Sequence, residues 1–235
     1  AVGAGDYQTF MAQLCAARAG VRVDPEKTYL IESRLAPLAR REGFGSIGDM
    51  LALLRERREE RLAWSIVEAM AQSESAFFRD REPFTLFRDE VLPSLARLRG
   101  AEPVRIWSAA CASGQEVYSL AMIVEDERGR LPGLKVELFG TDIGERQLEK
   151  AQSGLYTQFE IQRGLPVQRM VRWFDQTEAG WLAKADLRRR VDFSVQNMLI
   201  DRPPLAAPAD LIFCRNLLLY FAMPMRQKAF ARLRA

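Results

Sequence analysis

The stretch Val104-Arg-Ile-Trp-Ser-Ala-Ala-Cys-Ala-Ser-Gly-Gln-Glu-Val-Tyr-Ser-Leu-Ala121 constrains the fold of this chain more than any other. An apolar strand enters a turn of small residues, and an amphipathic helix follows at once. Doubly wound α/β domains present the end of their first strand to a nucleotide-like ligand in this way. A second strand, Val136-Glu-Leu-Phe-Gly-Thr-Asp142, ends in an acid. Asp142 is therefore expected beside the first turn, where a carboxylate can hold the two hydroxyls of a ribose. A tight strand-to-helix turn alone is common to many α/β domains, and it is the acid at the second strand end that favours a ligand. Gly114 stands alone where a dinucleotide fingerprint needs three glycines, so no pyrophosphate cradle is written here. Glu116, a carboxylate at the start of the helix, repels a phosphate and suits a cationic ligand.

Composition excludes other chemistries. The chain has 235 residues, 48% hydrophobic and 28% charged, enough for one large core or two modest ones. Its apolar runs all fall short of about 18 residues, so membrane insertion is not expected. Three widely spaced cysteines, Cys15, Cys111 and Cys214, sit in apolar sequence and read as buried thiols of a reducing cytoplasm. With no histidine and no cysteine cluster, a metal site and histidine-based catalysis are not expected. A net charge of +3 is too weak to imply nucleic acid, and no nucleic-acid motif accompanies the arginines.

The chain divides near residue 80 into a helical domain (1–80), a linker helix (81–101) and an α/β domain (102–235). In the first, residues 6–17, a segment opened by Asp24 as N-cap with Pro25 at the first helical position, 46–54 and 59–70 read as helices. Ile31, Leu35 and Leu38 share one face of the second helix, and Lys27, Arg34 and Arg41, spaced by seven, run along its flank. Phe77 and Phe78 in the seam are expected to pin the two domains together. A small antiparallel β insert is expected at about 168–195, with strands at 171–175, 180–183 and 189–193.

Five segments in order carry a family resemblance. Ser73-Glu-Ser-Ala-Phe-Phe-Arg-Asp80 resembles the Asn-x-Thr-x-Phe-Phe-Arg signature of chemoreceptor glutamate methyltransferases of the CheR type. Residues 107–119 resemble their first S-adenosylmethionine motif, and Gly140-Thr-Asp-Ile143 the second-strand motif. Val195-Gln-Asn-Met-Leu199 and Ile212-Phe-Cys-Arg-Asn-Leu-Leu-Leu-Tyr-Phe221 are similar to the third and fourth. The resemblance implies a helical bundle followed by a Rossmann-like domain that binds S-adenosylmethionine and releases S-adenosylhomocysteine.

It also implies site residues. Ser73, Ser75 and Arg79 would line the cofactor and the transfer site, with Gly114 in the turn. Glu116 would face the methionine end and Asp142 the ribose. Asn197 and Met198 would flank the adenine, and Asn216 and Leu217 would close over the cofactor. Arg79 and Tyr220 would orient the acceptor carboxylate. The implied partner is the cytoplasmic signalling region of a methyl-accepting chemoreceptor, with the Lys27, Arg34 and Arg41 stripe facing its acidic helices.

The sequence departs from the family pattern at Ser73, which replaces asparagine, and at Gln115 and Val117, which replace glutamate and proline. The turn 175–180 lacks the longer glycine-bearing loop of members that grip a receptor tether, so the enzyme is expected to be tether-independent. The family's sheet continues past the position matching Ala235, so the sheet is expected to be incomplete at its carboxyl end, leaving a raw edge. Two alternatives stay open. One is a methyltransferase of the same fold with another acceptor; the other is a sensor or scaffold that binds S-adenosylmethionine without turnover.

Overall fold

A computed structural model of the chain describes residues 4–71, 75–202 and 205–234. It resolves into two compact units, Ala1–Ser73 with Asn216–Ala235, and Glu74–Arg215.

The first unit is helical. It contains α1 (Ala4–Ala19), α2 (Thr28–Arg41), α3 (Ile47–Arg57) and α4 (Glu60–Met70). Ile31, Leu35 and Leu38 of α2 are buried together with Met50, Leu51 and Leu54 of α3 and Leu62, Ile66 and Val67 of α4. That is the apolar stripe an amphipathic helix must cover. An Arg18–Glu60 ion pair ties α1 to α4. The later segment 216–234 joins this unit through an antiparallel bridge between Val21 and Phe221 and a bond from Arg22 N–H to the Tyr220 carbonyl, 2.8 Å.

The start of α2 corrects the sequence reading. Asp24 does not cap it: its Oδ1 accepts from Glu26 N–H at 3.1 Å, and the helix begins only at Thr28. A short acid bonding its own backbone two residues on makes an Asx turn, which competes with capping. Ser46 is a true cap of α3, accepting from Asp49 N–H at 3.1 Å. Ser46→Ala is expected to cost about 1 kcal/mol, lowering the thermal midpoint by about 2–4 °C in a melt followed by circular dichroism.

The second unit opens with α5 (Glu82–Leu86), a π turn (Phe87–Val91) and α6 (Leu92–Arg99). Then come β1 (Val104–Ala109), α7 (Gln115–Glu127), β2 (Val136–Asp142), α8 (Glu145–Ser153), β3 (Leu155–Tyr156), α9 (Gln158–Gln162) and α10 (Val167–Trp173). The unit continues through β4 (Phe174–Thr177), β5 (Gly180–Ala183), α11 (Ala185–Arg188), β6 (Val191–Val195) and β7 (Leu211–Phe213). The main sheet is parallel, in the order β6-β2-β1-β7, and β1 and β2 pair from Val104↔Val136 to Ala109↔Thr141. Crossover helix α7 is buried along most of its length, as expected of a helix lying on a parallel sheet.

A smaller antiparallel sheet, β3-β5-β4, is the expected insert. It spans residues 155–183, however, and not 168–195: its third strand is Leu155–Tyr156 in place of 189–193, and residues 171–173, expected in a strand, end helix α10. Residues 191–195 run parallel to β2 instead, Leu138↔Val191 through Asp142↔Val195. Gly140 explains the pairing: a Cβ there would lie 2.8 Å from the Phe193 ring, so only a glycine lets that ring lie against β2. The ring also meets Tyr118 edge to face at 5.7 Å.

Phe77 and Phe78 are both buried within this unit. Phe77 packs edge-on against Tyr156 and Phe174, at 5.1 and 5.6 Å, and Phe78 meets Phe84 at 5.5 Å. Among the described residues no helix is long and apolar enough to cross a membrane.

Candidate cofactor site

The carboxyl ends of β1, β2 and β6 lie side by side, because parallel pairing brings them into register. The chain leaves β1 through 110–114, where Ala110, Ala112 and Gly114 all have positive φ (61°, 48° and 88°). A left-handed alanine is costly, about 1 kcal/mol or more, and such strain gathers at functional sites. Asp142 holds this turn in place. Its Oδ2 accepts from Ala112 N–H at 2.8 Å and its Oδ1 from Gly144 N–H at 2.9 Å. A carboxylate has about four acceptor sites, so capacity remains to accept from a diol. Gly114 is required twice over, by its φ and by the Cβ of Ala151, which would lie 2.9 Å from a side chain there.

Glu116, in the first turn of α7, reaches back to the strand. Ser108 Oγ, fully buried in β1, donates to Glu116 Oε1 at 2.8 Å, and Arg215 Nη1 lies 3.3 Å from Oε2. Arg215 itself follows β7 and is only 17% exposed. Its other nitrogen, Nη2, donates to the Arg79 carbonyl at 3.0 Å and to Asp80 Oδ2 at 2.6 Å. Sequence reading missed Arg215, although it stands inside the fourth motif. Its partners are spread over 136 positions of sequence, and no local pattern announces them.

Both acids feel the low dielectric around them. Burial pushes the Glu116 carboxyl above its ordinary value, opposed by the Ser108 bond and the charges of Arg215 and Arg79. Burial likewise raises Asp142, opposed by the backbone N–H groups of Gly144, Ala112 and Ile143. The Cys111 thiol, between them, is driven well up by burial and then by both carboxylates. It is inert as a nucleophile.

At the end of β6, Gln196 N–H donates to the Asp142 carbonyl at 2.9 Å, which fixes the next two residues beside β2. Asn197 is buried, and its Oδ1 accepts from Leu199 N–H at 3.0 Å; Met198 is half-buried. Gln196 Oε1 is buried without a partner among the described residues. An orphan acceptor of this kind calls for a donor. Two acids, strand-end loops and that acceptor fit a ligand carrying a cation, a vicinal diol and an amino-bearing base. They do not fit a polyphosphate.

Seven of the residues expected at the site, Ser75, Arg79, Gly114, Glu116, Asp142, Asn197 and Met198, therefore fall within one unit. Arg79 lies in a sharply turned segment, with positive φ at Phe78, Asp80 and Arg81, and its charge is felt at Glu116. Ser75 is half-buried at the start of that segment. Ser73 lies outside the described residues. Asn216, Leu217 and Tyr220 belong to the first unit, Asn216 with φ 57° and Tyr220 at the end of a 3-10 turn (Leu218–Tyr220) before α12 (Met223–Leu233).

The basic stripe is also in the first unit. Lys27 and Arg41 are exposed, whereas Arg34 is half-buried and donates to the Met70 carbonyl, closing the end of α4. No cluster of potential metal ligands exists among the described residues.

Comparison with known proteins agrees with this geometry. The SAM binding domain of CheR methyltransferase matches residues 73–235, and the all-alpha domain of CheR methyltransferase matches residues 6–64. Chemotaxis protein methyltransferase 1 of Pseudomonas aeruginosa is 35% identical over 97% of this chain and 82% of its own length. The chemotaxis protein methyltransferase of Vibrio parahaemolyticus is 37% identical over 95% and 80%, and that of Escherichia coli 32% over 94% and 76%. The chain is an S-adenosylmethionine-dependent methyltransferase and belongs to the CheR family.

Proposed function

We propose that the chain transfers a methyl group to glutamate carboxylates of a chemoreceptor's cytoplasmic signalling region, forming methyl esters. The observation that carries this reading is the charge arrangement at the strand ends. Glu116 is a buried acid that accepts from Ser108 and pairs with Arg215, and Asp142, a strand away, accepts from backbone N–H groups that include Ala112 and Gly144. S-adenosylmethionine, when bound, supplies an electrophilic methyl on a sulfonium. Glu116 would hold its methionine end, Asp142 the ribose hydroxyls, and Asn197 and Met198 the adenine, with the Gln196 acceptor beside them.

The acceptor chemistry matches what the chain lacks. A glutamate of ordinary pKa, about 4.3, is already an anion at neutral pH and needs no general base. A chain without histidine loses nothing in such a reaction. What remains for the protein is orientation of a carboxylate oxygen for in-line attack and exclusion of water. Arg79 would orient that carboxylate, together with Tyr220, and the phenol would favour the correct line of attack. Binding the anion too tightly would stabilise the ground state and slow transfer. We also assign Ser73, Ser75, Asn216 and Leu217 to cofactor binding. We place this chemistry in the cytoplasm, independent of a receptor tether.

Lys27 and Arg41 would meet the acidic receptor helix, since they are exposed; Arg34 has a structural duty at Met70 and makes a poor probe. The double variant Lys27→Glu/Arg41→Glu is expected to raise the KM for a receptor fragment about tenfold, a change worth about 1.4 kcal/mol. Affinity for S-adenosylmethionine should stay as it was. Equal loss of both would remove the docking assignment, and site mapping by mass spectrometry that finds the methyl on lysine or asparagine would remove the acceptor.

A further inference from the structure

We propose that Arg215 is a positioning residue that keeps Glu116 charged and aimed, and locks the Arg79 turn to it, so that the two halves of the site form together. The inference rests on the reading of Glu116 as the group facing a cationic cofactor.

The geometry is specific. One guanidinium bridges two elements: Nη1 to Glu116 Oε2 on α7 at 3.3 Å, and Nη2 to both the Arg79 carbonyl and Asp80 Oδ2 in the segment before α5. Its Cζ lies over the Phe84 ring, 5.5 Å from the centroid. A guanidinium serves an acid and a carbonyl from two nitrogens held in a fixed fork, whereas a lysine offers one ammonium on a flexible stem. The segment it holds has three non-glycine residues at positive φ, Phe78, Asp80 and Arg81, a conformation the chain would relax from without an anchor.

Among the described residues, Glu116 faces a hydroxyl donor and two cations. Ser108 donates from β1, Arg79 and Arg215 are cations, and Asp80 already shares Arg215. Cys111 and Cys214 feel its charge, but burial raises both thiols, Cys214 to about 11, so they stay neutral at working pH. Arg215 is therefore one of two cations offsetting the cost of a buried carboxylate. Because burial already raises the Glu116 pKa, loss of Arg215 moves it further up. A proton then competes with the cationic cofactor at higher pH, and affinity is lost as pH falls through that higher value.

The test starts from the ligand-free full chain. Its carboxyl carbons are followed by NMR as pH is varied, with the Glu116 signal assigned by its disappearance in Glu116→Gln. Arg215→Gln is expected to move the Glu116 titration to higher pH, and Arg215→Lys to recover part of that shift. Calorimetric affinity for S-adenosylmethionine should follow: as pH falls, Arg215→Gln should begin to lose affinity at a higher pH than the wild type, with a gap of about tenfold where the two differ most. Melting curves identify any variant that fails to fold, in which case Arg215→Lys alone carries the comparison. A Glu116 titration indifferent to residue 215, or an affinity lowered by one factor at every pH, would overturn the inference while leaving the esterification reading standing. Unchanged affinity in Glu116→Gln would instead remove the reading of Glu116 on which it rests.

Discussion

Replacing Asp142 with alanine is expected to cost at least about a hundredfold in affinity for both S-adenosylmethionine and S-adenosylhomocysteine. Two hydroxyl bonds to a charged acceptor, about 1.5–3 kcal/mol each, are lost together. The substitution also strips the partners from Ala112 and Gly144 N–H, so the strained turn at 110–114 loses its anchor. Asp142→Asn separates the two effects, because its single carbonyl oxygen can still accept one backbone bond but not the full set. Melting curves should then show a smaller loss of stability for asparagine than for alanine, with affinity poor in both. Binding in the wild type should weaken as pH falls, and it should begin to do so above the ordinary carboxylate range, because burial raises the Asp142 pKa. Calorimetry that finds Asp142→Ala within a few-fold of wild type would remove the ribose assignment.

Gly164→Ala is expected to be the most damaging substitution to stability. A Cβ at this position would lie 2.0 Å from the Phe77 carbonyl oxygen, and the residue has φ 93°. The obstructing atom is backbone, so no side-chain rotation relieves it. A disfavoured φ costs about 1–3 kcal/mol, and the overlap forces a further shift. A combined loss of about 4 kcal/mol or more would lower the thermal midpoint by about 8–16 °C. The shift would be passed to Phe77, whose ring fills the space between Tyr156 and Phe174, and along the same segment to Arg79. Gly164→Ala should therefore weaken cofactor binding as well, without touching the cofactor. A midpoint within about 2 °C of wild type would show that this backbone approach is not needed.

The parts of the fold that could be read in advance are those with local signals. An apolar strand, a small-residue turn and an apolar-faced helix predict β1, the turn and α7, and an acid at a strand end predicts where Asp142 stands. Parallel pairing then carries Gly114, Glu116, Asp142 and Asn197 to neighbouring strand ends. Val191-Asp-Phe-Ser-Val195 alternates with period two, and such a pattern fits an antiparallel edge or a parallel strand equally. The deciding fact is the space left by Gly140, a tertiary property. Asp24 reads as a helix cap because Pro25 and Glu26 follow it, yet its carboxylate satisfies Glu26 N–H and the helix waits until Thr28. Arg215 is the largest omission. Glu116 is 99 residues away from it, and an arginine after an apolar strand has no periodicity to mark it. Positive φ at Phe78, Asp80 and Arg81 is equally silent, since none of the three is a glycine.

The esterification reading is tested most directly by incubating the wild-type chain with methyl-labelled S-adenosylmethionine and a receptor cytoplasmic fragment. In a matched fragment, the acceptor glutamates are replaced by glutamine. The account predicts label on the glutamate fragment alone, released as methanol by mild base, as a carboxyl ester requires. A folded chain that binds S-adenosylmethionine yet labels neither fragment, or leaves a base-stable label on both, would contradict it.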